Sequence, residues 1–521
     1  MDLNTKARYA VLAMADLAKE SATAAVPLPA IAERQSLPLS YLEQIFVALR
    51  RAGVVESARG RAGGYRLARS AAGISVADVM RAVDEDTEFT RCSVTDPRCS
   101  RDRPCLTHGL WDALTQSTSA FVASVSLEDI LQGRFPAASI SLNSAAPASS
   151  RVYLDYNATA PLLPEAKAAI VDALDIVGNP SSAHNEGRAA RGFIDKARES
   201  VARLAGSRPS EIVFTSGASE ANAWVFAQPW DTIFIAGIEH DSVLACARAN
   251  GANIIALPVD QNGCVTVDDL TERVQGSPPV GRALLTLQMA NNETGIIQNV
   301  AKAAAAAKQL GLVVHTDAVQ APGRIAVNFA GMGADLMSLS AHKLGGPKGI
   351  GALVVRDHLD LVPLVRGGGQ ERRRRAGTED IAGIAGFGAA AKAALSQLAN
   401  AERVSALRDQ LEVSLMAVVP STVVIGKNAP RLCNTSLVAL PGKLAETLVI
   451  RLDLAGFAVS AGSACSSGKV GASHVLGAMN VERDIASAAI RVSIGAGTTA
   501  KDIAAFASAW NDLASKPALA A

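Results

Sequence analysis

Lys343 lies among small and polar residues, with Ser340 and His342 close by in the sequence. A lysine in this setting suits a Schiff base with a carbonyl group, although a lone lysine is more often a solvated surface residue. Upstream, Asp317 ends an apolar run that predicts a buried strand. A carboxylate there suits a protonated ring nitrogen, and it equally suits the cap of a turn. The pair indicates a site for an electron-withdrawing ring cofactor.

Residues 214–222 (FTSGASEAN) place small side chains between a predicted strand and a predicted helix. Backbone N–H groups at such a helix start bind phosphate, and small residues allow a close approach. Many ordinary strand–helix connections look the same. Taken with Lys343 and Asp317, the segment indicates pyridoxal phosphate.

Cys465 lies in residues 459–469, a stretch rich in glycine, serine and alanine. We expect a mobile polar loop there, unlike the surroundings of a buried structural cysteine. Lys469 is close enough in sequence to favour the thiolate. The residues alone leave two alternatives, a nucleophile and a spare surface cysteine.

A second group of possible ligands lies near the N-terminus, spaced C-x6-C-x5-C-x2-H. It comprises Cys92, Cys99, Cys105 and His108. Three thiolates and one imidazole fit zinc or an iron–sulfur cluster. Because the tight C-x2-C pairs of zinc ribbons are absent, spacing leaves zinc, cluster and no metal all open.

The chain has 521 residues and a net charge of +1, so its overall charge predicts no polyanionic partner. It shows neither a secretory signal nor an uncharged apolar stretch of about 18 residues. With its clustered cysteines, this predicts a cytoplasmic protein that does not span a membrane. The small, charge-free run at 137–150 predicts a flexible linker between domains at 1–136 and 151–515.

Helical periodicity dominates before the linker. Tyr9, Leu12, Ala13 and Leu17 mark one apolar helix face, and Ser40 is placed to cap a third helix. Short β runs at 54–56 and 64–67 flank a glycine-rich turn, which predicts a hairpin. Helix–turn–helix plus hairpin is a winged helix. Between residues 30 and 70, seven arginines face three glutamates, a local charge of +4 that suits phosphate contacts as well as an ordinary solvated surface.

Apolar β runs alternate with helices after the linker, at 212–214, 232–235, 284–287, 312–315 and 352–355. Such runs predict an α/β fold with a largely parallel sheet buried on both faces. From about Gln410 a smaller α+β unit is expected.

Four further motifs carry a resemblance over residues 151–515. They are 153–158 (YLDYNA), 179–184 (NPSSAH), 291–295 (NNETG) and 367–371 (GGGQE). With the lysine and cysteine segments, they resemble the NifS/IscS-type cysteine desulfurases, which are fold-type I pyridoxal-phosphate transferases with a large sheet domain and a small α+β domain.

The resemblance implies a role for each matching residue. Lys343 would hold the cofactor, Asp317 its ring nitrogen, and Gln320 and Asn292 its phenolic side. The implied phosphate ligands are Ala218, Ser219, Ser340 and His342, with Thr378 reaching the partner subunit of a homodimer. His240 would stack on the ring and move protons, while Arg491 and Asn179 would bind the substrate carboxylate.

The implied reaction converts L-cysteine to alanine. Cys465 would take the sulfur as a persulfide and pass it to a scaffold protein for iron–sulfur assembly. Ala461 and Ala160 depart from the family pattern, which often has Ser and Thr there, and they put rate and acceptor choice in doubt.

Residues 1 to about 131 resemble the IscR-type iron–sulfur-responsive repressors. The shared stretches are 6–11 (KARYAV), 40–46 (SYLEQIF), 63–65 (GGY) and 105–111 (CLTHGLW). The resemblance implies a [2Fe–2S] cluster on Cys92, Cys99, Cys105 and His108. It also implies DNA contacts from Ser40, Tyr41, Glu43, Gln44 and the wing residue Arg59, although the wing sequence departs from the family's.

The predicted protein is therefore a cytoplasmic homodimer that mobilises sulfur and regulates transcription through its N-terminal domain. Two alternatives stay open. The N-terminal domain could have lost DNA binding and accept sulfur or a cluster, or the enzyme could act on selenocysteine.

Overall fold

The computed structural model describes residues 5–20, 25–58, 63–83, 108–134, 151–462 and 473–515. The chain divides into two compact units, Met1–Pro147 and Ala148–Ala521.

The N-terminal unit is a helix–turn–helix followed by a hairpin. Its helices are α1 (Thr5–Glu20), α2 (Leu28–Gln35), α3 (Leu39–Arg51), α4 (Val76–Ala82), α5 (His108–Ser124) and α6 (Leu127–Gln132). Strands β1 (Val55–Ala58) and β2 (Gly64–Leu67) pair antiparallel, which confirms the predicted hairpin. Ile31, Leu42 and Phe46 from α2 and α3 are fully buried in one core with α1.

Two local predictions in this unit were wrong. Leu12 is 42% exposed, whereas Ala10 and Met14 on the same helix are buried. Ser40 does not cap α3, because the cap is Pro38, whose carbonyl accepts from the N–H groups of Tyr41 and Leu42. The fixed φ of proline suits a helix start, so α3 begins before the serine.

A seven-stranded sheet forms the centre of the C-terminal unit. Its strands are β4 (Ile212–Thr215), β5 (Thr232–Ala236), β6 (Asn253–Leu257), β7 (Ala283–Thr286), β8 (Val313–Asp317), β9 (Leu336–Ser340) and β10 (Gly351–Val355). The spatial order is β4-β10-β9-β8-β7-β5-β6, and only β10 runs antiparallel to its neighbours. The largely parallel sheet predicted from the sequence is confirmed.

Both faces of this sheet are covered. Phe234 and Leu285 belong to one apolar core, whereas their chain neighbours Ile233 and Leu284 belong to another. Successive residues of a strand point to opposite faces, so a sheet buried on both sides has continuous apolar strands. The helices of this layer are α7 (Pro164–Leu174), α8 (Asn185–Ala205), α9 (Ala218–Phe226), α10 (Asp241–Asn250), α11 (Val267–Gly276), α12 (Val300–Gln309), α13 (Phe329–Met332) and α14 (Ile381–Gln397).

A second, smaller sheet follows along the chain. Its strands are β11 (Val423–Ile425), β12 (Thr435–Ala439), β14 (Ser460–Ala461) and β15 (Ala489–Ser493), in the order β11-β12-β15-β14. The associated helices are α15 (Ala401–Val418), α16 (Ala445–Leu454), α17 (His474–Ala478), α18 (Arg483–Ser487) and α19 (Ala500–Ser515). The short strand β3 (Val152–Tyr153) pairs in parallel with β13 (Phe457–Ala458), so the first strand of the C-terminal unit pairs with a strand more than 300 residues later in the chain.

By length and composition, the helical stretch Ile381–Val418 could cross a membrane, and half of its most apolar window is buried within the unit. Within that stretch, α14 packs against α7 and α8. A Cβ on Gly388 would lie 2.5 Å from the backbone of Ala197, so the glycine permits a close helix contact. Core packing accounts for the apolar composition of α14.

Candidate active site

One cavity of about 620 Å³ lies where several strands of the large sheet end, a volume typical of a cofactor site. Its wall includes nine of the residues proposed from the sequence, namely Ala218, Ser219, His240, Asn292, Asp317, Gln320, Ser340, His342 and Lys343. Thr159, Ser242, Gln288 and Lys348 complete much of its polar lining.

Lys343 reaches the cavity from a single 3-10 turn, Ala341–Lys343, that follows β9 directly. Its Nζ donates a hydrogen bond to the backbone oxygen of Asn157 at 2.7 Å. The same oxygen accepts from Gln320 Nε2 at 3.1 Å. The amine is thus held against the wall at a defined position.

Asp317 is the last residue of β8 and is 7% exposed. Its Oδ2 accepts from Asn222 Nδ2 at 3.0 Å, and its Oδ1 accepts from the backbone N–H of Val319 at 3.0 Å. A nearly buried carboxylate in the cavity wall suits a cationic ring nitrogen, because a protonated pyridine requires a negative partner in a site that excludes water.

The start of α9, also in the cavity wall, suits a phosphate. Helix α9 begins there with Gly217 as its cap, and no side chain caps its first N–H groups. Uncapped N–H groups and the positive end of the helix dipole favour an anion. Burial and the neighbouring Lys343 and Lys348 lower the pKa of His342 to about 4, so its ring is neutral at pH 7 and can donate one hydrogen bond.

His240 caps α10 at another part of the wall. Its Nδ1 accepts from the backbone N–H of Ser242 at 3.1 Å, which leaves Nε2 for the proton of a neutral ring. Ser242 Oγ also lies 2.8 Å from His240 Nδ1, and Asn222 Nδ2 donates to this Oγ at 3.0 Å as well as to Asp317. One buried amide therefore connects the carboxylate and the histidine, and the sequence analysis did not identify it.

Asn157 is a second residue that the sequence analysis missed. Fully buried, it donates from Nδ2 to the backbone oxygen of Asn292 at 3.1 Å and to Thr435 Oγ1 at 2.9 Å. The only signal in the sequence was its place in the motif at 153–158, where a polar residue follows a short strand.

Three predicted residues are not in the cavity wall. Arg491 is 2% exposed, and its guanidinium donates to Asp155 Oδ1 at 2.6 Å and to the backbone oxygen of Asn292 at 3.1 Å. It therefore lies directly behind a wall residue. Asn179 is exposed and accepts from the N–H of Ser181, and Thr378 is also exposed.

Several predicted residues fall outside the described part of the chain, namely Cys92, Cys99, Cys105, Arg59 and Cys465. His108 is the first residue of α5. In α3, Ser40, Glu43 and Gln44 are exposed. Tyr41 is half-buried, with its ring 5.9 Å from that of Tyr9 in an edge-to-face contact.

An amine, a carboxylate and an uncapped helix N-terminus thus surround one cavity at the strand ends of a mixed, mostly parallel sheet. This is the architecture of the fold-type I pyridoxal-phosphate enzymes, and it confirms the predicted fold class.

Residues 152–506 match the family model Aminotransferase class-V, and residues 3–133 match Rrf2, an iron-dependent transcriptional regulator. A cysteine desulfurase from Cereibacter sphaeroides is 44% identical over 365 residues, covering 68% of this chain and 93% of the relative. The X-ray structure of a NifS-like protein from Rickettsia africae is 34% identical with a TM-score of 0.64, covering 70% of this chain and 99% of that one. SspA, solved in complex with cysteine, is 30% identical with a TM-score of 0.57, covering 66% and 98%.

The chain therefore belongs to the class-V aminotransferase family, as a pyridoxal-phosphate-dependent cysteine desulfurase with an Rrf2 domain at its N-terminal end.

Proposed function

We propose that this desulfurase transfers the sulfur of L-cysteine to Cys465, releases alanine and supplies the sulfur to a scaffold protein for iron–sulfur cluster assembly. The observation that carries the proposal is the cavity in which Lys343, Asp317 and the start of α9 are arranged around one space. The similar protein SspA, solved with cysteine, supports the substrate class.

In this proposal the cofactor's ends are held by different elements. Lys343 would hold it covalently, Asp317 would pair with its ring nitrogen, and Gln320 and Asn292 would contact its phenolic side. Ala218, Ser219, Ser340 and His342 would bind its phosphate, with Thr378 of a second subunit. Pyridoxal phosphate, when bound, supplies an electron sink for the bonds of the substrate's α-carbon.

His240 is the proposed proton carrier, because it lies in the cavity wall with its ring oriented by the contacts of Nδ1 with Ser242. Arg491 and Asn179 remain the proposed ligands of the substrate carboxylate. The Arg491 Nε is buried and has no hydrogen-bond partner among the described residues, so this guanidinium has capacity for another acceptor beside Asp155.

The sulfur transfer balances without an external oxidant. The Cys465 thiolate attacks the substrate sulfur, so a sulfur–sulfur bond forms and the bond from sulfur to the β-carbon breaks. The electron pair of the broken bond stays with that carbon, which takes a proton and becomes the methyl group of alanine. The carbon is reduced and the two sulfurs are oxidised to a persulfide.

The direct test is alanine formation by the full-length Cys465→Ala variant loaded with pyridoxal phosphate. We expect loss of at least about a thousandfold with cysteine, because the nucleophile is gone. Cys246→Ala, which changes a half-buried cysteine on α10, is the matched control and should retain activity. Normal alanine formation by Cys465→Ala would refute the proposal. A loss confined to cysteine, with selenocysteine turnover kept, would separate the two substrates.

For residues 1–136 we propose a cluster-sensing transcriptional regulator, joined by the linker at 137–150 to the enzyme at 151–515 in a cytoplasmic homodimer. The [2Fe–2S] ligands would be Cys92, Cys99, Cys105 and His108. The supporting observation is the exposed start of α3, which leaves Ser40, Glu43 and Gln44 available to base edges.

Tyr41 and three of the seven arginines are less available to DNA than the sequence indicated. Tyr41 packs against Tyr9, and Arg34, Arg66 and Arg69 are ion-paired with carboxylates. We therefore expect base contacts chiefly from Ser40, Glu43 and Gln44, with Arg59 as the proposed wing contact.

Gel shift with DNA from upstream of the gene itself, with and without the cluster, tests this regulator. Gln44→Ala should weaken specific binding by about 1–3 kcal/mol, the usual value of a base contact. Gln132→Ala on α6 is the control. If the cluster-loaded protein shows no preference for this DNA over unrelated DNA, the regulator proposal fails.

A further inference from the structure

Glu293 is a buried carboxyl that adjoins the cavity but has no part in the chemistry proposed above. It is 3% exposed and directly follows Asn292, a residue of the cavity wall. Ser473 Oγ donates a hydrogen bond to Glu293 Oε2 at 2.7 Å. The same hydroxyl accepts from the N–H of Leu476 at 3.1 Å, so its single hydrogen is available to the glutamate.

Gly462 lies close to the same carboxyl group. A Cβ on Gly462 would lie 2.9 Å from Glu293 Oε2, which is shorter than an ordinary van der Waals contact, so the Glu293 side chain would have to shift to admit it. The φ of Gly462 is outside the left-handed region, so packing against Glu293, and not backbone conformation, favours a glycine here. Gly462 and Ser473 are the two residues that flank 463–472, the segment that contains Cys465.

His474, which follows Ser473, is also held by a hydrogen bond to a residue next to the cavity wall. His474 Nε2 lies 2.9 Å from the backbone oxygen of Glu239, and Glu239 precedes His240 of the cavity wall. Helix α17, which begins at His474, is therefore attached at its first turn to chain neighbours of two cavity residues.

We infer that Glu293 is a positioning residue for sulfur transfer: its hydrogen bond with Ser473 fixes the residue at which the described chain resumes after the Cys465 segment, and thereby restricts the approach of the thiol to the substrate sulfur. This inference rests on the proposed role of Cys465. Nucleophilic attack is sensitive to the distance between the reacting atoms, so a small shift at this anchor should slow the sulfur-transfer step.

Four full-length variants loaded with the cofactor test the inference. Ser473→Ala removes the donor and Glu293→Ala removes the acceptor. Glu293→Gln keeps an acceptor of the same shape, a conservative change because burial raises the pKa of the Glu293 carboxyl. Ser436→Ala is the matched control, since Ser436 also donates to a buried glutamate, Glu412, in the same unit.

We expect Ser473→Ala and Glu293→Ala to lower kcat for alanine formation roughly tenfold or more, the scale of a misplaced reacting group. KM and the change in the cofactor's visible absorption on adding cysteine should stay near native values. These readouts report events before sulfur transfer. Glu293→Gln should restore most of kcat, and Ser436→Ala should leave it unchanged.

The inference is overturned if Ser473→Ala turns over cysteine at the native rate. It is also overturned if kcat falls only together with loss of the cofactor's absorption, since that pattern indicates general disruption. Should Glu293→Ala not fold, Ser473→Ala and Glu293→Gln decide. Failure of the proposed function would give a different result, because Cys465→Ala would then still produce alanine.

Discussion

Asn157 connects Lys343, Gln320 and Asn292 through one backbone oxygen and one side-chain amide. Its role is to set distances, and it performs no chemistry itself. A reading of reactive residue types finds the lysine, the aspartate and the histidine, because their chemistry is specific. It does not find amides such as Asn157 and Asn222, whose contribution depends on which groups the fold brings within 3 Å or so of them.

Arg491 also shows that a residue type can be recognised in the sequence while its contacts cannot. Its residue type suits a carboxylate, yet the structure places it behind the cavity wall and beside Asp155. The ion pair depends on the bridge between Asp155, which follows β3, and Ser493 at the end of β15, and no local pattern in the sequence reveals that pairing. The identity of the residue was predictable, whereas its present partner was not.

His315 lies in β8, two residues before Asp317, and it leads to a prediction of how the stability of the protein depends on pH. Burial lowers the pKa of His315 to about 4, and its two ring nitrogens lie 2.9 Å from Thr286 Oγ1 and 3.0 Å from Ser338 Oγ. Because the folded pKa lies below the unfolded value of about 6.5, the unfolded chain binds more protons between those values. Stability should therefore be full above about pH 6.5 and fall as the pH decreases toward 4.

The expected contribution of His315 to that loss is about 3 kcal/mol, from about 1.4 kcal/mol for each pKa unit. His315→Asn should be less stable than the native protein at pH 7 but lose less stability between pH 6.5 and 4. Thermal midpoints of the cofactor-free protein across this range provide the measurement. Equal losses in both proteins would show that His315 is not responsible.

Helix α9 and the turn after β9 both line the cavity, and each depends on how a strand ends. The five strands predicted from apolar runs are all present. Strands β6 and β9 were not among them. Strand β6 lies at the sheet edge and most of its residues are exposed, whereas β9 is buried and contains two serines that interrupt its apolar run. The antiparallel direction of β10 could not be predicted either, since an apolar run carries no information about strand direction.

A charge placed at the start of α9 tests the phosphate cradle. Ala218→Asp puts a carboxylate where the proposed phosphate binds, so we expect the dissociation constant for pyridoxal phosphate to rise at least about tenfold. Stability without the cofactor should hold or rise slightly, because an aspartate favours a helix N-terminus. Ala500→Asp makes the same change at the exposed start of α19 and should not alter cofactor affinity. Equal affinities for both variants would remove α9 from the phosphate site.

The whole molecule combines an Rrf2 domain with a cysteine desulfurase in one chain. In the proposed dimer, each active site takes Thr378 from the other subunit. Thr378 is exposed and lies outside the cavity wall of its own chain, which agrees with a contribution in trans. The proposed linker would tether the enzyme to the domain for which we propose cluster sensing.

Hybrid dimers test the contribution in trans. Subunits with Lys343→Ala and subunits with Thr378→Ala should each be poorly active alone. When they are mixed under exchange, a hybrid dimer should contain one complete site, made of Lys343 from one subunit and Thr378 from the other. Activity above that of either parent is the expected result. If mixing yields only the average of the parents although hybrids form, Thr378 acts within its own subunit or not at all.

The most direct measurement of the central claim is mass spectrometry of the Cys465 peptide after one turnover of the cofactor-loaded protein with sulfur-labelled cysteine. The account predicts one labelled sulfur on Cys465 for each alanine released, and none on Cys246, Cys264 or Cys433. Alanine released with no labelled sulfur on Cys465 would contradict it.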